Sequence, residues 1–94
     1  MPAYVLVEVE ILDAPAFERY REIAPPIIAA FGGRYLARGG RSETLEGDPC
    51  HRMVVLEFPS LERAREWWAS EEYAAARSIR SRSARVRMIA VEGA

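Results

Sequence analysis

The chain has 94 residues, a formal net charge of -1 and a sequence pI near 5.9; half of its residues are apolar or aromatic and 29% are charged. That balance is globular and excludes a long disordered or low-complexity segment, and the near-neutral charge excludes bulk attraction to nucleic acid or to an anionic membrane surface. One domain over residues 1–94 is expected, and because a domain of this size buries only about 65% of its unfolded surface, a partner surface would help to stabilise it.

All thirteen basic residues are Arg, and Lys, Asn and Gln are absent. Loss of thermolabile amides accompanies heat tolerance, although a GC-rich coding bias leaves the same signature. The single Cys50 cannot form an internal disulfide, and Met1-Pro2-Ala3-Tyr4 leads into a strand without a signal-peptide profile, so the expected compartment is the cytoplasm. No apolar run approaches the ~20 residues that span a bilayer, and no membrane partner is expected.

Strict alternation predicts a first strand from Tyr4 to Ile11, with Val5, Val7, Val9 and Ile11 on one face and Tyr4, Leu6, Glu8 and Glu10 on the other. Asp13 then caps a helix whose Phe17, Tyr20, Ala24, Ile27 and Phe31 recur at helical spacing and which ends at Gly32-Gly33. Pro25-Pro26 falls inside it, and the lost amide donors predict a kink or break near Glu22 to Pro25. A second strand runs from Arg34 through Tyr35 to Arg38, where Gly39-Gly40 predicts a bulge or a close backbone approach. Arg41 to Leu45 is expected to resume as an edge strand, and Glu46-Gly47-Asp48-Pro49 is turn chemistry.

Arg52 to Phe58 carries no proline and reads as a central strand. Ser60 caps a helix presenting Leu61, Ala64 and either Trp67 or Trp68. Ser70, followed by Glu71 and Glu72, marks a second helix start with acids where the helix dipole favours them, and this helix is expected to reach about Arg85. A fourth strand follows from Val86 to Glu92. The segment Val7-Glu8-Val9-Glu10-Ile11-Leu12-Asp13 also repeats the grammar of Val54-Val55-Leu56-Glu57-Phe58-Pro59-Ser60 at an offset of 47 positions. In each copy a strand bears a Glu one place before its last large apolar residue and passes at once into a capped helix.

The resulting order, strand-helix-strand-strand-helix-strand, predicts a ferredoxin-like α+β domain with helices on one face of a four-stranded antiparallel sheet. The repeat places Val7, Val9 and Ile11 beside Val54, Leu56 and Phe58 under the helices. Tyr4, Leu6, Glu8, Glu10, Val55 and Glu57 are left on the open face, a mixture too apolar for free solvent and too charged for a dry core. A homodimer closed through that face, forming a barrel-like assembly, is the expected partnership.

The motifs Tyr35-Leu36-Ala37-Arg38-Gly39-Gly40, Leu45-Glu46-Gly47, Leu56-Glu57-Phe58-Pro59 and Ser70-Glu71-Glu72-Tyr73 together resemble the bacterial family called domain of unknown function 1330, over Tyr4 to Gly93. The resemblance implies the dimeric α/β-barrel superfamily, whose relatives include cofactor-independent monooxygenases, muconolactone isomerases and haem-dependent enzymes. It transfers a fold and a dimer, but no reaction.

Glu57 and Arg38 are the candidate catalytic pair, because neighbouring second and third strands can bring a base and a guanidinium anchor onto one polar face. The competing reading is a structural ion pair across the sheet or the dimer interface. Glu8 and Glu10 admit the same two readings. Tyr20, Trp68 and Tyr73 are candidate substrate-binding aromatics, against the alternative that they are core at helical spacing; consecutive tryptophans cannot both point inward, so one of Trp67 and Trp68 is expected to rim a cleft between helix and sheet. His51 beside Cys50 reads as an exposed loop histidine, and with Asp48 it has no recognised metal-ligand spacing, so neither metal nor haem is expected. Arg77, Arg80, Arg82, Arg85 and Arg87 read as solvated or salt-bridged surface rather than a nucleic-acid face, since no aromatic interleaves them to stack bases. The leading functional expectation is a small-molecule-acting protein needing no cofactor, monooxygenase- or isomerase-like, with a pocket between sheet and helices. The alternative is a non-catalytic dimeric ligand-binding or interaction module.

Overall fold

A computed structural model describes residues 1–94. Seven elements follow in order: β1 Ala3–Ile11, α1 Ala14–Ala30, β2 Arg34–Arg38, β3 Arg52–Phe58, α2 Leu61–Ala69, α3 Glu71–Ser81 and β4 Ala84–Glu92. The four strands form one antiparallel sheet in the order β2-β3-β1-β4, the expected ferredoxin-like arrangement.

Alternation in β1 sets the layers. Val5, Val7 and Val9 are buried against α1, α2 and α3, and directly opposite them on β3 stand Leu56, Val54 and Arg52. Phe58, Trp67 and Tyr73 complete the centre of the core, with ring centroids 5.1 Å apart for Phe58 and Trp67 and 4.3 Å for Trp67 and Tyr73. Asp13, Ser60 and Ser70 each accept a backbone N–H three residues on, so the three expected caps are in place. The Ser70 hydroxyl also donates to the Trp67 carbonyl at 2.8 Å, which joins the end of α2 to the start of α3.

Four expectations are corrected. First, α1 is uninterrupted through Pro25 and Pro26. Pro25 leaves the Arg21 carbonyl without its helical partner, and the Arg38 guanidinium supplies a replacement, Nη2 donating to Arg21 O at 3.1 Å. Secondly, Arg41 to Leu45 is irregular rather than an edge strand; its residues are exposed and β2 already occupies the edge beside β3. Thirdly, α3 ends at Ser81, short of Arg85, and β4 begins at Ala84. The Ser83 N–H and hydroxyl both bond the Arg80 carbonyl, and the buried Ser83 carbonyl accepts from Leu12 and Asp13, which closes the helix and sets β4 against the end of β1.

The fourth correction matters for the site. The register of β2 on β3 slips between Tyr35 and Ala37, so the bulge falls at Leu36, ahead of Gly39-Gly40. Arg34 opposes Glu57 and Tyr35 opposes Leu56, but beyond the slip Ala37 opposes Val55 and Arg38 opposes Val54. Since directly opposed residues share a face, the extra residue moves Arg38 to the helix side. The close approach expected at Gly39-Gly40 is present at Gly39: its φ is +69°, its N–H donates to Met53 O at 2.8 Å, and a Cβ there would overlap the Arg52 guanidinium.

Candidate functional site

A cavity of about 40 Å³ lies between the sheet and the helical layer. Its floor is Val7 and Val9 of β1, Val54 and Leu56 of β3, and Met88 of β4. Phe17, Tyr20 and Ile28 of α1 cover it, Trp67 of α2 and Arg80 of α3 close one side, and Tyr35, Arg38 and Arg52 line it from β2 and β3, with Arg21 of α1. Ten of the fourteen lining residues are hydrophobic, and the four others are all arginines, so no carboxylate or imidazole is among them.

A hydrogen-bonded chain runs along the helical side. Arg80 Nη1 donates to the Tyr73 hydroxyl at 3.0 Å, and the Tyr73 and Tyr20 hydroxyls are 2.7 Å apart. The Arg80 guanidinium also sits 5.8 Å from the Tyr20 ring centroid. Arg38 stacks on Tyr35 at 4.6 Å. Burial pushes the Tyr20 phenol far above its ordinary pKa, helped by the neighbouring Tyr73 and opposed by Arg80. Tyr73 and Tyr35 are likewise raised by burial, against the pull of Arg80 and Arg38 respectively. All three phenols therefore stay protonated at neutral pH and act as hydrogen-bond donors rather than bases. Two buried donors in this wall, Trp67 Nε1 and Arg80 Nε, have no partner in the protein.

Beside the cavity, a groove of about 560 Å³ runs between α2 and the sheet, bounded by Val5, Ala64, Trp68, Val86 and Ala90. Trp67, Met88 and Arg80 belong to both spaces. Trp68, 47% exposed, lies along this groove, and Arg77 covers its ring at 4.0 Å.

The sequence-derived candidates are thus divided. Tyr20 and Arg38 line the cavity, and Tyr73 stands behind Tyr20 as its hydrogen-bond partner. Trp68 faces the outer groove. Glu57 does not meet Arg38; it lies on the open face, paired with Arg34 at 2.7 Å, because the bulge sends Arg38 through to the other side. Glu10, also on the open face, lies 3.7 Å from Arg85 and 4.0 Å from the exposed His51. No group of three or more His, Cys, Asp or Glu side chains is arranged to hold a metal ion. Tyr35 and Arg52 are not site candidates from the sequence, Trp67 is there only one of two tryptophans of which one should rim a cleft, and Arg80, read there as solvated or salt-bridged surface, instead lines the cavity. For Arg80 a signal existed: it follows the buried Tyr73 and Ala76 by seven and four residues, so it shares their inward helical face.

A family model described as domain of unknown function (DUF1330) matches residues 2–94. No curated protein sequence is similar to this chain. Among solved structures, a protein of unknown function from Rhodopseudomonas palustris superposes with a TM-score of 0.79 at 20% identity, over 99% of this chain and 82% of that one. A dimeric ferredoxin-like protein of unknown function from Jannaschia sp. CCS1 gives 0.69 at 15% identity, covering 99% and 100%. A dimeric protein of unknown function with a ferredoxin-like fold, from Bacteroides fragilis NCTC 9343, gives 0.66 at 13% identity, covering 98% and 96%. At these identities the likeness is one of fold.

Proposed function

The chain belongs to the domain of unknown function (DUF1330) family, a membership that brings no reaction with it, and we propose from its cavity that it is a homodimeric protein acting on an oxygen-bearing small molecule. The observation that carries this reading is the pair of buried, unpartnered donors, Trp67 Nε1 and Arg80 Nε, in an otherwise apolar wall. A buried donor left unmade costs about 1–3 kcal/mol, and a ligand oxygen would remove that cost. Tyr20 adds to the set: either hydroxyl of the Tyr20–Tyr73 pair can be the donor, and when a ligand oxygen enters the cavity Tyr73 can donate to Tyr20 and leave the Tyr20 proton for the ligand. Convergent N–H, O–H and guanidinium groups in a largely apolar site lower the energy of negative charge on a bound oxygen. An enolate is the species such a site favours, and it is shared by cofactor-independent isomerisation and monooxygenation. Arg38 and Tyr20 are assigned to holding the ligand, with Tyr73 positioning Tyr20.

A second reading, binding without turnover, is supported by the absence of a carboxylate or imidazole from the lining. In it Glu57, with Arg34, specifies the dimer face rather than moving a proton. A thermal-shift screen of the purified protein against neutral and charged oxygen-bearing metabolites tests both readings. A binder should raise Tm and perturb the Trp67 indole, and Tyr20→Phe should weaken it by about tenfold. If nothing in the panel binds, the site reading falls. Should a bound compound be turned over, Glu57→Gln should leave the rate unchanged; a loss of about 10²-fold would return Glu57 to the chemistry.

A further inference from the structure

Three features of the cavity constrain its ligand beyond the presence of an oxygen. The first is charge. Arg38, Arg52 and Arg80 line the cavity, and none of them has a carboxylate within 4.0 Å; the arginines that do are Arg21, Arg34, Arg41, Arg63 and Arg85. Arg38 is exposed and screened by water, whereas Arg52 and Arg80 are half-buried; a guanidinium partly withdrawn from water without a carboxylate is costly, and a bound carboxylate recovers that cost through charge-assisted hydrogen bonds.

The second feature is size. A cavity of about 40 Å³ has room for about three water-sized groups, enough for a carboxylate head and too little for the body of a metabolite. The third is continuity. Trp67, Met88 and Arg80 are common to this cavity and to the groove of about 560 Å³ over β4, whose other walls are largely apolar. Arg80 therefore stands where the arginine-bearing inner cavity meets the apolar outer groove, and its Nε is one of the two unpartnered donors.

Resting on the small-molecule reading, we infer that the site takes an amphipathic monoanion, its carboxylate held in the inner cavity by Arg80, Arg52, Arg38 and the Trp67 indole N–H, and its apolar body lying in the groove beside Trp68 and Met88. The groove is occupied by the same molecule that fills the cavity, because the head is anchored at the residues the two spaces share. Neutral molecules of the same shape leave the guanidinium groups unanswered. Small anions leave the groove empty.

Three sodium or neutral probes separate these elements: octanoate carries both head and body, acetate the head alone, and octanamide the body with an uncharged head. Titrated into the purified full chain, octanoate should bind about tenfold or more tightly than either of the others. In the ¹H–¹⁵N spectrum the Trp67 indole N–H should move downfield as it gains an acceptor, and the Met88 methyl should shift in step. Arg80→Gln and Arg52→Gln should each weaken octanoate by about tenfold while changing octanamide little. The Arg52 side chain makes no ion pair within the protein, so Arg52→Gln serves should Arg80→Gln fail to fold. Octanamide binding as tightly as octanoate overturns the anion, and acetate binding as tightly overturns the apolar body. Failure of octanoate alongside a neutral hit from the metabolite screen overturns this inference alone; failure of octanoate and of the whole screen overturns the small-molecule reading with it.

Discussion

Single residues carry two roles here that their neighbours in sequence conceal. Arg38 supplies the hydrogen bond that Pro25 denies to the Arg21 carbonyl, besides lining the cavity. Arg38→Met should therefore destabilise the protein by about 1 kcal/mol, and less in a Pro25→Ala background, where the new amide donor serves the same carbonyl. Equal losses in both backgrounds, measured by urea denaturation, would remove this role. Tyr20 makes a second case. Its folded-state pKa, like those of Tyr35 and Tyr73, lies above the unfolded value of about 10, so the folded chain retains protons that the unfolded chain releases. The contribution is complete below pH ~10 and is lost as pH rises above it. Unfolding free energy should fall steeply above pH ~10, and Tyr20→Phe should flatten that fall.

At the scale of elements, one inserted residue in β2 decides which face its last residues occupy. Leu36 is the point of slip, and Gly39 then lets the strand leave at positive φ with its N–H on Met53 and no side chain to displace the Arg52 guanidinium. Gly39→Ala meets both obstacles, backbone strain and a steric overlap, and should cost about 1–3 kcal/mol and shift Arg52 from the cavity. Gly40→Ala has open space and no positive φ, so its Tm should stay close to that of the parent. Equal effects of the two substitutions would mean that Gly39 is not the constrained position. The helical layer shows the same dependence on single side chains, since Ser70 and Ser83 divide one helical stretch of sequence into α2, α3 and the entry to β4.

For the molecule as a whole, the open sheet face is the feature that most needs a partner. Leu6, Ile89 and Val91 are 38%, 45% and 47% exposed, and the strand register sets them beside Tyr4 and Val55 in one patch. Glu8 opposite Arg87, Glu10 opposite Arg85, and the Glu57–Arg34 pair give the same face charged positions of both signs. An apolar patch of this kind with mixed charges suits a self-complementary contact, in which each acid can meet the partner's arginine. We propose that the protein is a dimer through this face. Light scattering should return about twice the 10.6 kDa chain mass, and Leu6→Glu should yield folded monomer. A parent protein that is already monomeric at micromolar concentration would exclude the dimer.

The sequence by itself determined the strand-helix order, the three side-chain caps, and which face of β1 and β3 is buried. Each of these is local: a period of two puts Val5, Val7 and Val9 on one side whatever the chain does elsewhere, and Asp13, Ser60 and Ser70 cap the amides three residues on. The 47-residue repeat also placed Glu57 correctly on the open face, beside Tyr4. The tertiary structure alone decided the composition of the site. Period-two reasoning puts Arg38 with Glu57, and a bulge, invisible in a five-residue strand, reverses it. Proline chemistry stops a helix at Pro25, and the Arg38 guanidinium from β2, 17 residues beyond the Arg21 carbonyl, restores what is missing. Arg80 sits in a run of arginines that reads as surface, yet its place on the Tyr73 face of α3 turns it inward. In each case the deciding contact joins residues distant in sequence, and its energy exists only once the sheet and helices have packed.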